Sequence, residues 1–308
     1  MKITNCAKDW IKACEINCLE RATLHTYHGH VRNHIVPGLG DANIITLKTP
    51  DIERFRQDML ATHSFAQTKK VLVSLKAIFK HAQLMGIIVA NVTLPVTMKG
   101  AKRHKKRTDI PTKAEIKSLI ENAPPAYKAF VITAIFTGMR SSELRGLQWR
   151  NINFDLGIIT IDSKIDRYGE RGSPKSGAAY RNIPMTPRVK QSLKDWQVNC
   201  PTGVENLVFP NSVGKPQSHS NICNRMLYPL LIKCGIVNEH GKHRFGTHGL
   251  RHAAASLFID QGWSPKKIQT ILGHANITMT FDTYGHLFED TADDVAKMAK
   301  LEEDLFAA

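Results

Sequence analysis

Over the first 95 residues the apolar positions recur at helical spacing, with polar residues between them. Trp10, Ile11, Cys14 and Cys18 do so between Asp9 and Leu19, predicting a first helix. Ala22 to Ile35 predicts a second, stopped by Pro37-Gly38-Leu39-Gly40. Thr49-Pro50-Asp51 opens a third, with Ile52, Phe55 and Met59 on one face. Pro50 suits that first turn, where its fixed φ is already helical. Phe65 to Met85 predicts a fourth, striped by Val71, Leu72, Leu75, Ile78 and Phe79, with Gly86 beyond its end. No strand pattern interrupts the block, so residues 1–98 read as a small all-α domain.

The periodicity then disappears. Lys99-Gly100-Ala101-Lys102-Arg103-His104-Lys105-Lys106-Arg107 is basic and carries no apolar repeat, which predicts a linker over 99–107. Helical signals return at Thr112-Lys113-Ala114-Glu115, a capping box ahead of Ile116, Leu119 and Ile120. Tyr127 to Phe136 is an apolar helix ending at Gly138, and Ser141-Ser142-Glu143-Leu144 starts a short one. Ile158-Ile159-Thr160-Ile161 and Arg181-Asn182-Ile183-Pro184 read as strands, joined through a Gly/Ser/Lys-rich connection from Tyr168 to Gly177. From Pro187 the pattern is helical again. Residues 108–288 therefore predict an α+β domain, mostly helices with a small antiparallel sheet. Residues 289–308 form a tail in which Val295, Met298, Leu301, Leu305 and Phe306 recur at near-helical spacing. The whole is a two-domain, mostly α chain.

Composition narrows the class. A chain of 308 residues suffices for two domains with proper cores. Apolar residues make up 42% and mean hydropathy is −0.25, as in a globular protein in water. No stretch reaches the roughly 18 to 20 apolar residues of a membrane span, and the first residues carry no apolar run of a secretory signal. Six scattered cysteines predict a reduced, cytoplasmic setting rather than a disulfide framework. None forms a CxxC pair, so no metal site is expected.

Charge points to a partner. The formal net charge is +15, and it is uneven. Residues 1–100 hold 13 Lys+Arg against 7 Asp+Glu, residues 101–288 hold 27 against 13, and residues 289–308 hold 2 against 7. A basic body with an acidic tail implies a polyanion, nucleic acid first. Lys69 and Lys70 on the fourth helix are candidate DNA contacts, as are Lys102, Arg103, Lys105, Lys106 and Arg107 in the linker. The acidic tail suits protein rather than DNA.

Cutting a phosphodiester without a metal requires fixed cations against the non-bridging oxygens, an in-line nucleophile, and an acid for the leaving alkoxide. Guanidinium groups are planar, always charged and two-pronged, and suit the first task. Thr137-Gly138-Met139-Arg140 places Arg140 just after a helix-ending glycine, with Glu143 three residues on as a brace. Thr247-His248-Gly249-Leu250-Arg251-His252 sets His248 and Arg251 three apart on one helical face. Leu272-Gly273-His274 puts a histidine after a second glycine, and Tyr284 follows ten residues later.

The segments TGMRSSEL, HGLRHAAAS and ILGHANITMTFDTYGH, with the lysine of SPKSGAAYRNIP, resemble the tyrosine recombinases, or phage integrase family. TLHTYHGHVRNHIVPGLG resembles that family's helical, SAM-like core-binding domain. The resemblance covers nearly the whole chain, and the HxxR, LGH and Tyr spacings together are specific. It implies that Arg140 and Arg251 hold the scissile phosphate. His248 positions it and assists proton transfer, and His274 donates to a non-bridging oxygen. Lys175 protonates the leaving 5′ oxygen, and Tyr284 becomes joined to the 3′ phosphate. Glu143 and His252 are supporting residues, His252 as a structural or outer-shell histidine, and His286 has no assigned role. No cofactor is implied. The implied partners are double-stranded DNA, further protomers in a synaptic tetramer, and accessory DNA-bending or directionality proteins, with no membrane.

Two departures stand out. The family often has an acidic residue directly after the HxxR histidine, where this chain has Gly249. Phage integrases often carry an N-terminal arm-binding domain, whereas here the core-binding-like region begins almost at Met1. Such a domain is either absent or missing from the chain as given. Two rivals remain. Type IB topoisomerases share the chemistry but are disfavoured by the linker and tail. A silent DNA-binding protein on the same fold is disfavoured by the complete set of six residues.

Overall fold

The computed structural model describes residues 1–98, 109–174, 177–288 and 291–307. The chain divides into two compact units, Met1–Lys105 and Lys106–Ala308. The linker residues Lys102 to Arg107 and the candidate acid Lys175 lie outside the described residues.

The first unit is helical: α1 (Ile3–Ile16), α2 (Arg21–His30), α3 (Val36–Leu39), α4 (Thr49–Thr62) and α5 (Phe65–Leu84). Helix α1 begins six residues earlier than the pattern from Asp9 predicts. Ile3, Cys6 and Ala7 extend the buried face of Trp10, Ile11 and Cys14 one turn and more toward the N-terminus. It ends before Leu19, where Cys18 turns the chain at φ +53°. The second predicted helix also differs. It passes through a π-helical turn, Val31–Ile35, and continues as α3 across Pro37 to Leu39. A π turn shifts the hydrogen-bond ladder by one residue, and the missing N–H of Pro37 then falls in the first turn of a new helical segment. Helices α4 and α5 follow the sequence pattern. Ile52, Phe55 and Met59 are buried on α4, and Val71, Leu72, Leu75, Ile78 and Phe79 on α5. Together with α1 they form one apolar core. Lys69 and Lys70 lie on the exposed side of α5.

The second unit is built round α7 (Pro125–Thr137), most of whose side chains are buried. It is preceded by α6 (Lys113–Asn122), which the Thr112–Glu115 capping box opens as predicted. Its C-terminal Gly138 takes φ +62°, a left-handed value that favours glycine. A side chain there would also strike Leu272, 2.5 Å from an ideal Cβ. Helix α8 (Ser141–Gly146) follows at once. The sheet is antiparallel in the order β1 (Ile152–Asn153), β2 (Ile158–Ile161), β5 (Arg181–Pro184). Ile159 pairs with Ile183 and Ile161 with Arg181, so the two predicted strands are the observed ones. Between those strands runs a second, two-stranded ladder, β3 (Lys164–Ile165) with β4 (Arg171–Gly172), of which only β4 falls in the connection predicted from Tyr168 to Gly177. Arg171 anchors it, donating to the Gly146 carbonyl and the Ser163 hydroxyl and pairing with Glu205.

Helix α9 (Pro187–Asn199) covers α7. Residues 200–218 are irregular rather than helical, unlike the sequence expectation. Then come α10 (His219–Asn221), α11 (Tyr228–Lys233), α12 (Thr247–Asp260), α13 (Pro265–Leu272), α14 (Thr278–Tyr284) and α15 (Thr291–Phe306). Helix α12, which carries the buried small residues Ala253, Ala254 and Ala255, lies against α7. That packing sets the C-terminus of α7 beside α12 and α13, where the candidate site forms. On α15, Val295, Met298, Leu301, Leu305 and Phe306 are all exposed, each by 60% or more. Among the described residues no helix is long and apolar enough to cross a membrane.

Candidate active site

Three helix ends supply the site. The left-handed stop at Gly138 turns the chain so that Arg140 precedes α8. Its main-chain N–H donates to Glu143 Oε2 at 2.9 Å, and its Nη1 donates to Oε1 at 2.8 Å. Its Nη2 donates to the Gly273 carbonyl at 2.7 Å. Arg251 comes from α12, is 3% exposed, and donates Nη1 to the Gly138 carbonyl at 2.8 Å. The two arginines are thus each fixed by a main-chain carbonyl at a helix end, Arg140 by that after α13 and Arg251 by that after α7. Burial and repulsion from Arg140 pull the Arg251 guanidinium down to about 9, with Glu143 opposing. A cation so disfavoured gains strongly from an added anion.

The histidines stay neutral. His274 follows the left-handed Gly273, φ +67°, at the end of α13. Its Nδ1 is 2.8 Å from the Thr280 hydroxyl, which leaves Nε2 for a ligand. Burial and the charges of Arg251 and Arg140 push it down to about 3. His248 presents its ring at the surface. Packing round the ring, then Arg251 and Arg140, lower its pKa. For a ring this exposed, the repulsion by the two arginines is the firmer cause.

Tyr284 closes α14 and is only 1% exposed, its ring packed with Ala255, Ile268 and Leu272. Burial pushes its phenol up to about 12, partly countered by Arg251. Its hydroxyl is 2.7 Å from His252 Nδ1. Burial, His248 and Arg251 push that imidazole down to about 4, so a neutral phenol meets a neutral imidazole. His252 also lies edge-on to His248, ring centroids 5.3 Å apart. It is therefore in direct contact with the candidate nucleophile.

Glu143 is 3% exposed and serves two arginines. Besides Arg140 it accepts from Arg181 Nη1 at 3.2 Å and Nη2 at 2.8 Å. Burial works to raise its pKa, but the paired guanidiniums outweigh this and hold it below the usual carboxylate range. Arg181 was legible in the sequence only as a strand residue. The signal was its place in the alternation: it shares the buried face of β5 with Ile183. Breaking one side of such a buried pair costs roughly 3–5 kcal/mol. Gly249, where the family often has an acid, is also explained. Any Cβ there would collide with the Phe245 ring.

Among the described residues no three His, Cys, Asp or Glu side chains gather as metal ligands. Guanidiniums and imidazoles gather instead: Arg140 reaches the turn before His274, Arg251 reaches the turn before Arg140, and His248 stands on the same helix as Arg251. Such a set stabilises an oxyanion, and a phenol beside it offers a nucleophile. That is the class the site defines: an anion-receiving cluster of arginines and histidines with a buried tyrosine beside it.

The chain belongs to the phage integrase family, which residues 111–290 match. Over 185 residues it is 30% identical to a transposase from transposon Tn916 of Enterococcus faecalis, a stretch that is 56% of this chain and 45% of that one. The chain thus spans less than half the length of that relative. Over 297 residues it is 27% identical to a tyrosine recombinase XerC-like protein of Caldanaerobacter subterraneus subsp. tengcongensis, covering 86% and 74% of the two chains. Its fold superposes on a Tn1549 transposon integrase fragment in complex with a circular intermediate DNA. The TM-score is 0.81 at 21% identity, over 98% of this chain and 99% of the other.

Proposed function

We propose that this chain breaks and rejoins duplex DNA at specific sites, in the integration or excision of a phage or other mobile element. The carrying observation is the meeting of the Arg140–Glu143 pair, buried Arg251, His248 and His274 with a tyrosine hydroxyl held at 2.7 Å by His252. In this reading Arg140 and Arg251 bind the non-bridging oxygens of the scissile phosphate, and His274 donates a third bond. His248 positions the phosphate and assists proton transfer. The Tyr284 oxygen attacks phosphorus as its proton passes to His248, the bond to the 5′ oxygen breaks, and Lys175 gives that oxygen its proton. The product is a 3′-phosphotyrosine that conserves the bond energy, so rejoining by a 5′ hydroxyl needs no nucleotide cofactor. The charge work falls to arginines, and no metal takes part.

Residues 1–98 act as the core-binding domain, 99–107 as a basic linker, 108–288 as the catalytic domain and 289–308 as a tail. Lys69, Lys70 and the linker cations Lys102, Arg103, Lys105, Lys106 and Arg107 contact DNA phosphates. The exposed apolar face of α15 suits docking on a neighbouring protomer within a synaptic tetramer. Accessory DNA-bending or directionality proteins and a cytoplasmic site of action complete the reading. A suicide substrate that traps the covalent complex tests it. Sequencing the DNA ends attached to Tyr284 reports chemistry and target together, and a chain that forms no adduct on any supplied duplex overturns it.

A further inference from the structure

Arg181 has no place in the chemistry just described, yet it is among the most constrained side chains in the molecule. It stands at the start of β5, paired with Ile161, and its guanidinium is 3% exposed. Nε donates to the Ile271 carbonyl at 2.6 Å. Nη1 donates to the Ala179 carbonyl at 2.9 Å and to Glu143 Oε1, and Nη2 donates to Glu143 Oε2. Four bonds therefore leave one planar group toward three separate elements: the last turn of α13, the turn ahead of β5, and α8.

Two of those elements present a site residue. Glu143 is the carboxylate that orients Arg140. The Ile271 carbonyl lies three residues before His274. Between them Gly273 accepts from Arg140, and a Cβ at Gly273 would lie 2.9 Å from Arg181 Nη1. The guanidinium is thus packed close against the turn that leads into His274. Arg140 and Arg181 grip the same turn from two sides and share one carboxylate. A rigid fork does this where a lysine cannot, since an ammonium is a single point on a flexible stem.

We infer that Arg181 is a positioning residue for the phosphate grip, holding Arg140, through Glu143, in fixed register with the Gly273–His274 turn. The inference rests on the proposed strand-transfer reading. It predicts a loss in the chemical step rather than in DNA affinity, because the Arg181 guanidinium is buried and spends its donors within the protein. A misplacement of about 1 Å at a reacting group costs on the order of 10²-fold in rate.

A double-mutant cycle on the full chain tests it. Arg181→Lys, Arg140→Lys and the double variant are compared for single-site DNA binding by gel shift and for covalent adduct formation on a suicide substrate at single turnover. The time course runs long enough to quantify the slowest variant. Thermal melting confirms folding; should the lysine variant not fold, Arg181→Gln takes its place, leaving the Glu143–Arg140 pair intact. The expected result is near wild-type binding, an adduct rate down on the order of 10²-fold, and a double variant little slower than Arg140→Lys alone, since both changes disable one grip. Independent losses that multiply, or an Arg181 variant that reacts at the wild-type rate, overturn the inference. Failure of the underlying reading looks different: the unsubstituted chain forms no adduct, or Tyr284→Phe still does.

Discussion

The Tyr284 hydroxyl lies 2.7 Å from His252 Nδ1, and the tyrosine is the bulkiest of the fully buried side chains. The candidate nucleophile is therefore held inside the protein by a specific acceptor rather than offered freely to solvent. Tyr284→Phe removes the attacking oxygen with little loss of volume. DNA binding should persist while covalent adducts vanish, as denaturing gels will report. One neutral hydrogen bond is lost, so the fold should weaken by only about 0.5–1.5 kcal/mol.

His252→Asn retains an acceptor near the Nδ1 position but cannot take up a proton. If His252 serves only to hold the phenol, adduct formation should stay within a few fold of the parent, whereas His252→Ala should be slower by more than that. Equal rates for the alanine variant and the parent would deny His252 any part in placing Tyr284.

Stability should fall in acid in a defined window. His252 and His274 are held at about 4 and about 3 in the folded chain, against 6.5 ordinarily. His248, His30 and His34 are lowered in the same direction. Below pH 6.5 the unfolded chain therefore binds protons that the folded chain refuses, and stability is lost as pH falls from about 6.5 toward 4. Tyr284 acts oppositely: raised to about 12, it favours the folded state until pH climbs from 10 toward 12. Melting temperatures at pH 7.5 and 5 give the check. The drop should be smaller in His252→Asn, and a flat profile would contradict the neutral assignments.

Arg140→Lys keeps a charge but loses the fork that meets Glu143 and the Gly273 carbonyl. Cleavage should fall on the order of 10²–10³-fold, as when a preorganised oxyanion donor is removed, with DNA affinity little changed. The parent chain should cleave equally well in EDTA. A strict need for a divalent metal would refute the proposed chemistry.

The linker and tail make separable predictions. Neutralising Lys102, Arg103, Lys105, Lys106 and Arg107 should weaken all DNA sequences alike and flatten the salt dependence, each lost phosphate contact lowering the slope of log K by roughly 0.9. An unchanged slope would leave the run a solvated connector. Deleting residues 290–308 should spare single-site binding but weaken assembly on paired sites, measured by sedimentation. Normal assembly and recombination by the shortened chain would rule out a docking role for α15.

The parts that show in the sequence are those where one periodicity governs a long segment. The stripe from Val71 to Phe79 and the alternation in Ile158–Ile161 and Arg181–Pro184 each bury the side chains their spacing indicates. What the pattern hides is local and cooperative. The π turn at Val31–Ile35 leaves no mark on an apolar repeat, and strands of two residues, Lys164–Ile165 and Arg171–Gly172, are too short to show a period. The candidate residues Arg140, His248, Arg251 and His274 stand out in the sequence because glycine stops or i, i+3 spacing flank them, and Tyr284 because it follows His274 by ten residues. Arg181 was not, since its partners Glu143, Ala179 and Ile271 are brought together only by tertiary packing.

The mutual repulsion of Arg140 and Arg251 has a thermodynamic side. Two cations pinned by carbonyls, one of them drawn down to about 9, raise the free energy of the folded chain itself. Any tetrahedral oxyanion seated between them relieves that repulsion and binds the folded form alone, so it acts as a folding ligand. Sulfate or vanadate should then raise the melting temperature beyond its general salt effect, and less so in Arg140→Lys. On the proposed reading, a scissile phosphate seated there would serve as a second counterion beside Glu143 and would stabilise the fold as it binds.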